Sequence, residues 1–402
     1  MQIVLVSPFL DRRHGTELCI IEQIERLSSK YGWGIHLFSQ HVENIDGLLT
    51  EAPKSSATGF ICWHKVSDIP GPHLLKFLWW FFANRSARKR ALKRLEDRSW
   101  LVYSPGINCL DANAITVHIV FHEFYARVRD ELTLLKVPVS KWPVTLHRKL
   151  YYKLIMALER RIYTNPRVHL AAVSNLVSAQ LKKHFGRTDS VVIPNAVDTL
   201  IFNSEARLAR RSVSRQNLKL DPSDFVVLLI GNDWKKKGLD QLLRALAVIE
   251  IPIQLLVVGK DDPGLYRSAL QQLRLEDRVR FLAPSADVLS FYAATDAYVA
   301  PSLEDAFGLP ILEAMACGLP VIASVQAGAS ENIIDGTTGY LLREPMNHVE
   351  LAELIRRLAS DKAAAHKIGT AAAQFVKSSV SWDHNVSGTR EFLENSLASR
   401  QI

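Results

Sequence analysis

Short apolar runs alternate with amphipathic stretches along this chain, and the whole series begins twice. The first series opens with an apolar run at 2–7, an amphipathic pattern at 16–29 and a second apolar run at 35–38. Further runs follow at 100–103, 115–120 and 169–173, the last preceded by a long basic helical pattern at 141–161. Across 198–221 polar and charged residues dominate and the alternation lapses. It then restarts with strand 225–230, helix 239–249, strand 253–258, helix 265–273 and strand 279–282, and continues in the same manner to residue 342. Strands separated by helices pair in parallel, with helices covering both faces of the sheet. The pattern predicts an α/β protein of two doubly wound domains, 1–198 and 199–380, and 402 residues are enough for two full cores. Helical patterns at 349–358 and, after Trp382, at 386–397 complete the chain.

With 48% hydrophobic and 22% charged residues, the chain falls among globular rather than disordered sequences. Cys19, Cys62, Cys109 and Cys317 are scattered without Cys-x-x-Cys spacing, which predicts neither a zinc site nor a disulfide framework and fits a reducing cytosol. The first eight residues lack a basic leader, so no signal peptide is expected, and no apolar stretch reaches the roughly 20 residues needed to cross a bilayer. The expected location is the cytoplasm, free or peripheral on the inner face of the cell membrane.

The formal charge of +8 is concentrated in residues 73–98. There Leu74, Leu75, Phe77, Leu78, Trp79, Trp80, Phe81 and Phe82 precede Arg85, Arg88, Lys89, Arg90, Lys93, Arg94 and Arg98, opposed only by Glu96 and Asp97. Rings beside cations suit the headgroup layer of an anionic membrane. The plainer alternative is a helix with core aromatics and solvated arginines. Nucleic acid is not expected, since no RNA- or DNA-binding module accompanies the charge.

Two stretches carry chemistry. In 298–324 an apolar run ends at Pro301-Ser302, Glu304 and Asp305 follow, Phe307-Gly308 make a turn, and a helix at 310–317 leads into strand 321–323. Backbone N–H groups at such a helix start favour anions or hydroxyls, and Asp305 and Glu313 bracket the turn as acceptors for a polyol. After the strand ending at Ile230 comes Gly231-Asn232-Asp233-Trp234-Lys235-Lys236-Lys237-Gly238 and then a helix, a lysine cluster placed to hold phosphate oxygens. Asp233 and Asp296 read as structural carboxylates. No Gly-x-Ser-x-Gly elbow is present, no Gly-x-Gly-x-x-Gly follows the first strand, and no Asp-x-Asp follows a strand.

The 298–324 segment resembles the signature of family-4 nucleotide-sugar glycosyltransferases, a Glu, seven residues, Glu pattern followed by Ala-Met-Ala, a small residue and Gly-x-Pro-Val; here the pair is Asp305 and Glu313. Residues 327–331, the Asp335-Gly336-Thr337-Thr338-Gly339 turn and Ile193-Pro194-Asn195-Ala196-Val197-Asp198 are similar to further elements of that family in the same order. The resemblance implies the GT-B architecture: two Rossmann-like domains facing across a cleft, the first binding acceptor, the second nucleotide sugar, with 381–402 returning to the first. It implies that Lys237 contacts the diphosphate, Glu313 the ribose, Asp305 the donor sugar, and that Phe307, Gly308 and Leu309 approach sugar and phosphate through their backbone. The family's arginine after the first glycine is Asn232 here, so Lys235 or Lys236 is expected to supply the missing charge; Glu304 stands beside the shorter Asp305. In Arg12-Arg13-His14-Gly15-Thr16-Glu17, Gly15 matches the family's glycine loop, and His118 and His122 lie where it places a histidine facing the transferred sugar.

Retaining transfer of a hexose from a nucleotide-diphosphate sugar to a glycan or lipid-linked acceptor is what the resemblance implies, in cell-envelope polysaccharide or lipopolysaccharide synthesis and without metal or cofactor. Lys237, Asp305 and His118 are the expected catalytic residues, and Gly15, Asn232, Lys235, Lys236, Glu304, Phe307, Gly308, Leu309 and Glu313 are expected to bind donor. A nucleotide-sugar epimerase of the same architecture, or a non-catalytic sugar-nucleotide-binding protein at the membrane, are the alternatives.

Overall fold

The computed structural model describes residues 1–12, 15–50, 59–93, 100–129, 132–133 and 138–399. Arg13 and His14 of the expected glycine loop, and Arg94, Glu96, Asp97 and Arg98 of the basic stretch, lie outside the described residues. The chain divides into two compact units, Met1–Pro194 with Asp383–Ile402, and Asn195–Trp382. Both are α/β units of Rossmann type with parallel sheets.

In the first unit, β1 (Gln2–Val6), β3 (Gly34–Ser39), β5 (Phe60–Lys65), β6 (Trp100–Pro105), β7 (Ala114–Val117), β8 (His169–Ala172) and β9 (Val191–Val192) form a parallel sheet in the order β5-β3-β1-β6-β7-β8-β9. A two-residue pair, β2 (Phe9–Leu10) with β4 (His41–Val42), stands apart from it. The helices are α1 (Gly15–Tyr31), α2 (His73–Leu92), α3 (Phe121–Val128), α4 (Trp142–Tyr163) and α5 (Asn175–Phe185). Strand residues such as Ile3, Leu5, Ile35 and Leu37 are fully buried because helices cover the sheet. The apolar run expected at 115–120 leaves the sheet after Val117. Val120 instead caps α3, whose first two amides, those of Phe121 and His122, donate to the buried Glu159 carboxylate at 2.6 and 3.0 Å.

One correction concerns the basic stretch. Arg88 is not solvated: it is 4% exposed and forms a two-pronged ion pair with Asp111, at 2.7 and 3.1 Å. Of the α2 aromatics only Trp80 is fully enclosed, its indole N–H donating to the Asn108 carbonyl at 2.7 Å, while Phe82 is 66% exposed.

The second unit contains β10 (Phe225–Ile230), β11 (Ile253–Val258), β12 (Val279–Leu282), β13 (Ala297–Ala300), β14 (Val321–Ser324) and β15 (Tyr340–Leu342), in the order β12-β11-β10-β13-β14-β15. Around it lie α6 (Ser204–Asn217), α7 (Leu239–Ala247), α8 (Arg267–Leu273), α9 (Leu289–Ala294), α10 (Leu309–Ala316), α11 (His348–Ser360) and α12 (Lys362–Ser379). The last helix, α13 (Trp382–Ala398), packs Val386, Phe392 and Leu393 into the core of the first unit beside Ile193. Its Asn385 donates to the Pro194 carbonyl at 2.7 Å and accepts from Gln23 at 2.9 Å.

Helix α6 is attached to the second unit by cations, its buried residues being Arg207, Ser214 and Arg215. Arg207, Arg211 and Arg215 recur at four-residue spacing, hence on one face. Arg207 Nε donates to the Cys317 carbonyl at the end of α10, at 2.7 Å. Arg211 and Arg215 donate to the Thr295 and Ala294 carbonyls at the end of α9, at 2.9 and 3.0 Å. Carbonyl ends of helices carry partial negative charge and have no partner within the helix, so guanidinium groups satisfy both requirements. Asp296 closes the group, accepting from Arg211 at 2.6 Å, Arg215 at 3.3 Å and the Val226 amide at 2.8 Å. Asp296→Ala strands two poorly hydrated guanidinium groups and is expected to lower unfolding stability by about 3 kcal/mol. Urea unfolding checks this, and an unchanged midpoint would show that the carbonyls alone suffice.

Candidate functional site

In the second sheet the strand order reverses at β10, which has β11 on one side and β13 on the other. Ligands of open α/β sheets bind outside the carboxyl ends of the strands at such a point. The loops after β10 and β13 meet there, the Leu303 amide donating to the Lys236 carbonyl at 2.7 Å. Gly238, at φ +78°, makes this approach possible: a Cβ on it would stand 2.0 Å from the Pro301 carbonyl oxygen. Gly308, at φ +87°, begins α10 in the same way, and a Cβ there would stand 2.9 Å from Asp305 Oδ2. Neither helix has a side-chain cap, glycine being the N-cap residue of both, and the Asp305 carboxylate lies at the start of α10.

Across this junction Lys237 Nζ donates to Asp305 Oδ2 in an ion pair. Asp305 is fixed by its backbone, its amide donating to the Gln326 carbonyl and its carbonyl accepting from Gly328, both at 3.0 Å. Further along α10, Glu313 is buried, and its Oε2 accepts from the Tyr292 hydroxyl at 2.6 Å. Burial pushes the Glu313 carboxyl up to about 7, against the opposing pull of that hydrogen bond. Tyr298, enclosed at the same strand end, has its hydroxyl pushed well up by burial and then by the charges of Asp305 and Glu313.

The structure thus brings Lys237, Asp305, Phe307, Gly308, Leu309 and Glu313 to one strand-end junction. Asn232, Lys235 and Lys236 lie on the same loop but are oriented differently. The Asn232 side-chain oxygen accepts from the Lys260 amide at 3.0 Å, Lys236 Nζ reaches Asp233 at 2.5 Å, and Lys235 is exposed. Glu304 is half-buried beside Asp305. Two functional supports escaped the sequence reading. Asp261 receives the Asp233 and Trp234 amides at 3.0 and 2.6 Å and so shapes the lysine loop. Tyr292 orients Glu313. An acidic pair, Asp261-Asp262, just past a strand end was a usable signal for the first; nothing in the sequence around Tyr292 marks the second.

Gly15 and His118 belong to the first unit. Gly15 is the exposed first residue of α1, and a Cβ there would meet nothing within 4 Å, so the chain's own packing does not require glycine. His118 follows β7; its buried Nε2 has no hydrogen-bond partner among the described residues, and burial pushes its pKa down to about 4, leaving a neutral imidazole. His122 is instead tied through Nδ1 to Glu159 at 2.7 Å, a structural contact. At the reversal point of this sheet, between β1 and β6, a cavity of about 120 Å³ is lined by Ser7, Phe9, Thr16, Glu17, Pro105 and Asn108.

Residues 210–375 match the model of the family Glycosyl transferases group 1. The lipopolysaccharide glucosyltransferase WaaG of Escherichia coli K12 is 30% identical over 151 residues, covering 37% of this chain and 40% of that protein. The D-inositol 3-phosphate glycosyltransferase of Rhodococcus jostii RHA1 is 31% identical over 238 residues, covering 55% and 51%. The chain thus spans about half the length, or less, of the curated relatives it matches. The crystal structure of WaaG superposes with a TM-score of 0.74 at 18% identity, covering 96% of this chain and 98% of that one. Anabaena Alr3699/HepE in complex with UDP-glucose does so with a TM-score of 0.72 at 20% identity, covering 98% and 100%. These likenesses show a shared fold of two Rossmann-like units.

The Glu313 environment has a measurable sign. Its carboxyl lies near 7 when folded against 4.5 as the ordinary value, so the folded chain holds this proton more tightly. The resulting stabilisation is complete below about pH 4.5 and is lost as pH rises to 7, a contribution of the order of 3 kcal/mol. Glu313→Gln keeps the shape and removes the titration. Urea unfolding at pH 4.5 and pH 8 should find the variant gaining on the wild type at the higher pH; a pH-independent difference would show that Glu313 titrates normally.

Proposed function

We propose that this chain transfers a hexose from a nucleoside-diphosphate sugar to a glycan or lipid-linked acceptor, with retention at the anomeric carbon. The observation that carries the reading is the Lys237–Asp305 pair at the strand-end junction, flanked by two helix starts without side-chain caps and backed by buried Glu313. The family match over 210–375 supports the reaction class, and the lipopolysaccharide substrate in a relative's name supports an envelope acceptor. Donor is assigned to the second unit, acceptor to the first, and 381–402 to the first as its closing helix.

In this scheme the diphosphate competes for the Lys237 ammonium and draws it off Asp305, whose carboxylate then accepts from a donor-sugar hydroxyl. Glu313 accepts from the ribose, and backbone groups at 307–309 follow sugar and phosphate. The bond from the anomeric carbon to the diphosphate oxygen breaks while the acceptor oxygen bonds from the same face, and the acceptor proton passes to a phosphate oxygen of the leaving group. Lys237, with Lys235 or Lys236 in place of an arginine at Asn232, and the helix starts neutralise that group. The scheme uses no metal. His118, a neutral imidazole, is the histidine assigned to the transferred sugar by the family resemblance. A thermal-shift screen across nucleotide sugars identifies the donor. Lys237→Ala should then lower kcat/KM by about 10²–10³-fold, the cost of one transition-state donor, and Glu313→Ala should abolish the thermal shift. Both variants behaving as wild type would remove the assignment, and epimer formed from donor alone would transfer it to an epimerase.

The proposed site of action is the inner membrane face. No helix among the described residues is long and apolar enough to cross a membrane. Helices α2 and α4 pack through His73 and Phe77 against Tyr151, with ring centroids at 4.6 and 5.3 Å. Together they expose Leu75, Leu78, Phe82, Val144, Leu146 and Leu150. Exposed Lys76, Arg85, Lys89, Arg90, Arg148 and Lys153 are on the same two helices. Apolar groups ringed by cations match an anionic headgroup layer. The protein should co-sediment with vesicles containing anionic lipid and not with neutral ones, and Lys89→Glu/Arg90→Glu should weaken this about tenfold or more, at about 1 kcal/mol per cation. Equal binding to neutral vesicles, or none to either, would remove the membrane assignment.

A further inference from the structure

Within the first unit, three ligand-type side chains converge at the edge of the sheet. β5 is the edge strand and β3 its neighbour, and His36 lies directly opposite Cys62 in their register. Alternate residues of a strand share a face, so Cys62 and His64 both stand on the side where His36 stands. One ligand atom from each lies within 4.8 Å of the others, and His36 Nδ1 is 3.0 Å from His64 Nε2. His36 is 2% exposed and Cys62 8%, while His64 is half-buried. The rings are held in place, His64 stacking on Phe38 with centroids 4.5 Å apart and His36 meeting Phe60 edge-on at 5.3 Å.

As a purely structural pair the two imidazoles are poorly served. They share one hydrogen bond, and the buried His36 Nε2 has no partner among the described residues in either tautomer. A buried polar atom left this way is uncommon and calls for an explanation. The donor set, two imidazoles and a thiol, favours borderline ions of the zinc type over Mg²⁺ or Ca²⁺.

We propose that His36, Cys62 and His64 bind one transition-metal ion, Zn²⁺ by ligand type, in the first unit. Metal–sulfur and metal–nitrogen bonds of about 2.3 and 2.0–2.1 Å require only small side-chain closure from the spacing seen. Binding displaces the Cys62 thiol proton and joins the edge strand to its neighbour through side chains. The proposal is independent of the transferase reading. Spacing along the chain did not reveal it because the third ligand comes from an adjacent strand.

Co²⁺ serves as the spectroscopic probe on the full chain after chelator treatment. The expected result is one Co²⁺ per chain with a thiolate-to-cobalt charge-transfer band, displaced by Zn²⁺, and a higher Tm in Zn²⁺ than in chelator. Cys62→Ser should abolish the band, and His64→Gln, at a half-buried position that tolerates change, should weaken Zn²⁺ binding at least about tenfold. If Cys62→Ser fails to fold, His64→Gln decides. The proposal is overturned by substoichiometric binding, by binding without the thiolate band, which assigns the ion to other histidines, or by unchanged affinity in His64→Gln.

Discussion

Lys237 and Asp305 are 68 residues apart in sequence and meet in a single ion pair at the reversal point of the second sheet. The meeting follows from strand direction. β10 and β13 run parallel, so the loops leaving them emerge at the same edge, and neighbouring parallel strands place those loops side by side. Closure then depends on Gly238, since any side chain there would collide with the Pro301 carbonyl. A half-buried ion pair is weak evidence of stability, because desolvation offsets attraction. Its value here is placement: each charge holds the other at the strand-end junction.

Two buried glutamates of this chain shift in the same direction in different surroundings. Glu159 and Glu313 are both pushed up by burial, to about 8 and about 7. Glu159 accepts two backbone amides and a histidine, and its contacts end inside the fold. Glu313 has the Tyr292 hydroxyl as its side-chain partner and stands behind a loop built from glycine turns. The direction of the shift is the same; the surroundings distinguish a helix cap from a carboxyl held by one tyrosine hydroxyl. Asp296, with its arginines, belongs to the first kind.

The repeating strand and helix pattern was legible because parallel strands buried on both faces read as continuous apolar runs, as at 225–230 and 253–258. The expected helix at 239–249 appears as Leu239–Ala247, within the usual uncertainty of helix ends. β5 escaped notice: Phe60–Lys65 mixes cysteine, tryptophan, histidine and lysine, and its strand character comes from pairing with β3. The junction of Lys237, Asp305 and Glu313 was legible from glycines and charges at strand ends. The orientation of Asn232 and Lys236 was not, since it depends on Lys260 and on the unusual backbone of Asp233, at φ +59°. Arg88 was misread for a related reason: charge is visible in a sequence, while the Asp111 that buries it is on another element.

Helix α13 has a consequence for synthesis. The second unit is one uninterrupted segment, and all of it leaves the ribosome before Val386, Phe392 and Leu393, which complete the apolar interior around Ile193. The later-made domain can therefore mature first, while the earlier-made one waits with a greasy face uncovered for the duration of nearly two hundred further peptide bonds, at about 5–20 residues per second. Until α13 is made, the interior of the first unit lacks Val386, Phe392 and Leu393 and stays open beside Ile193.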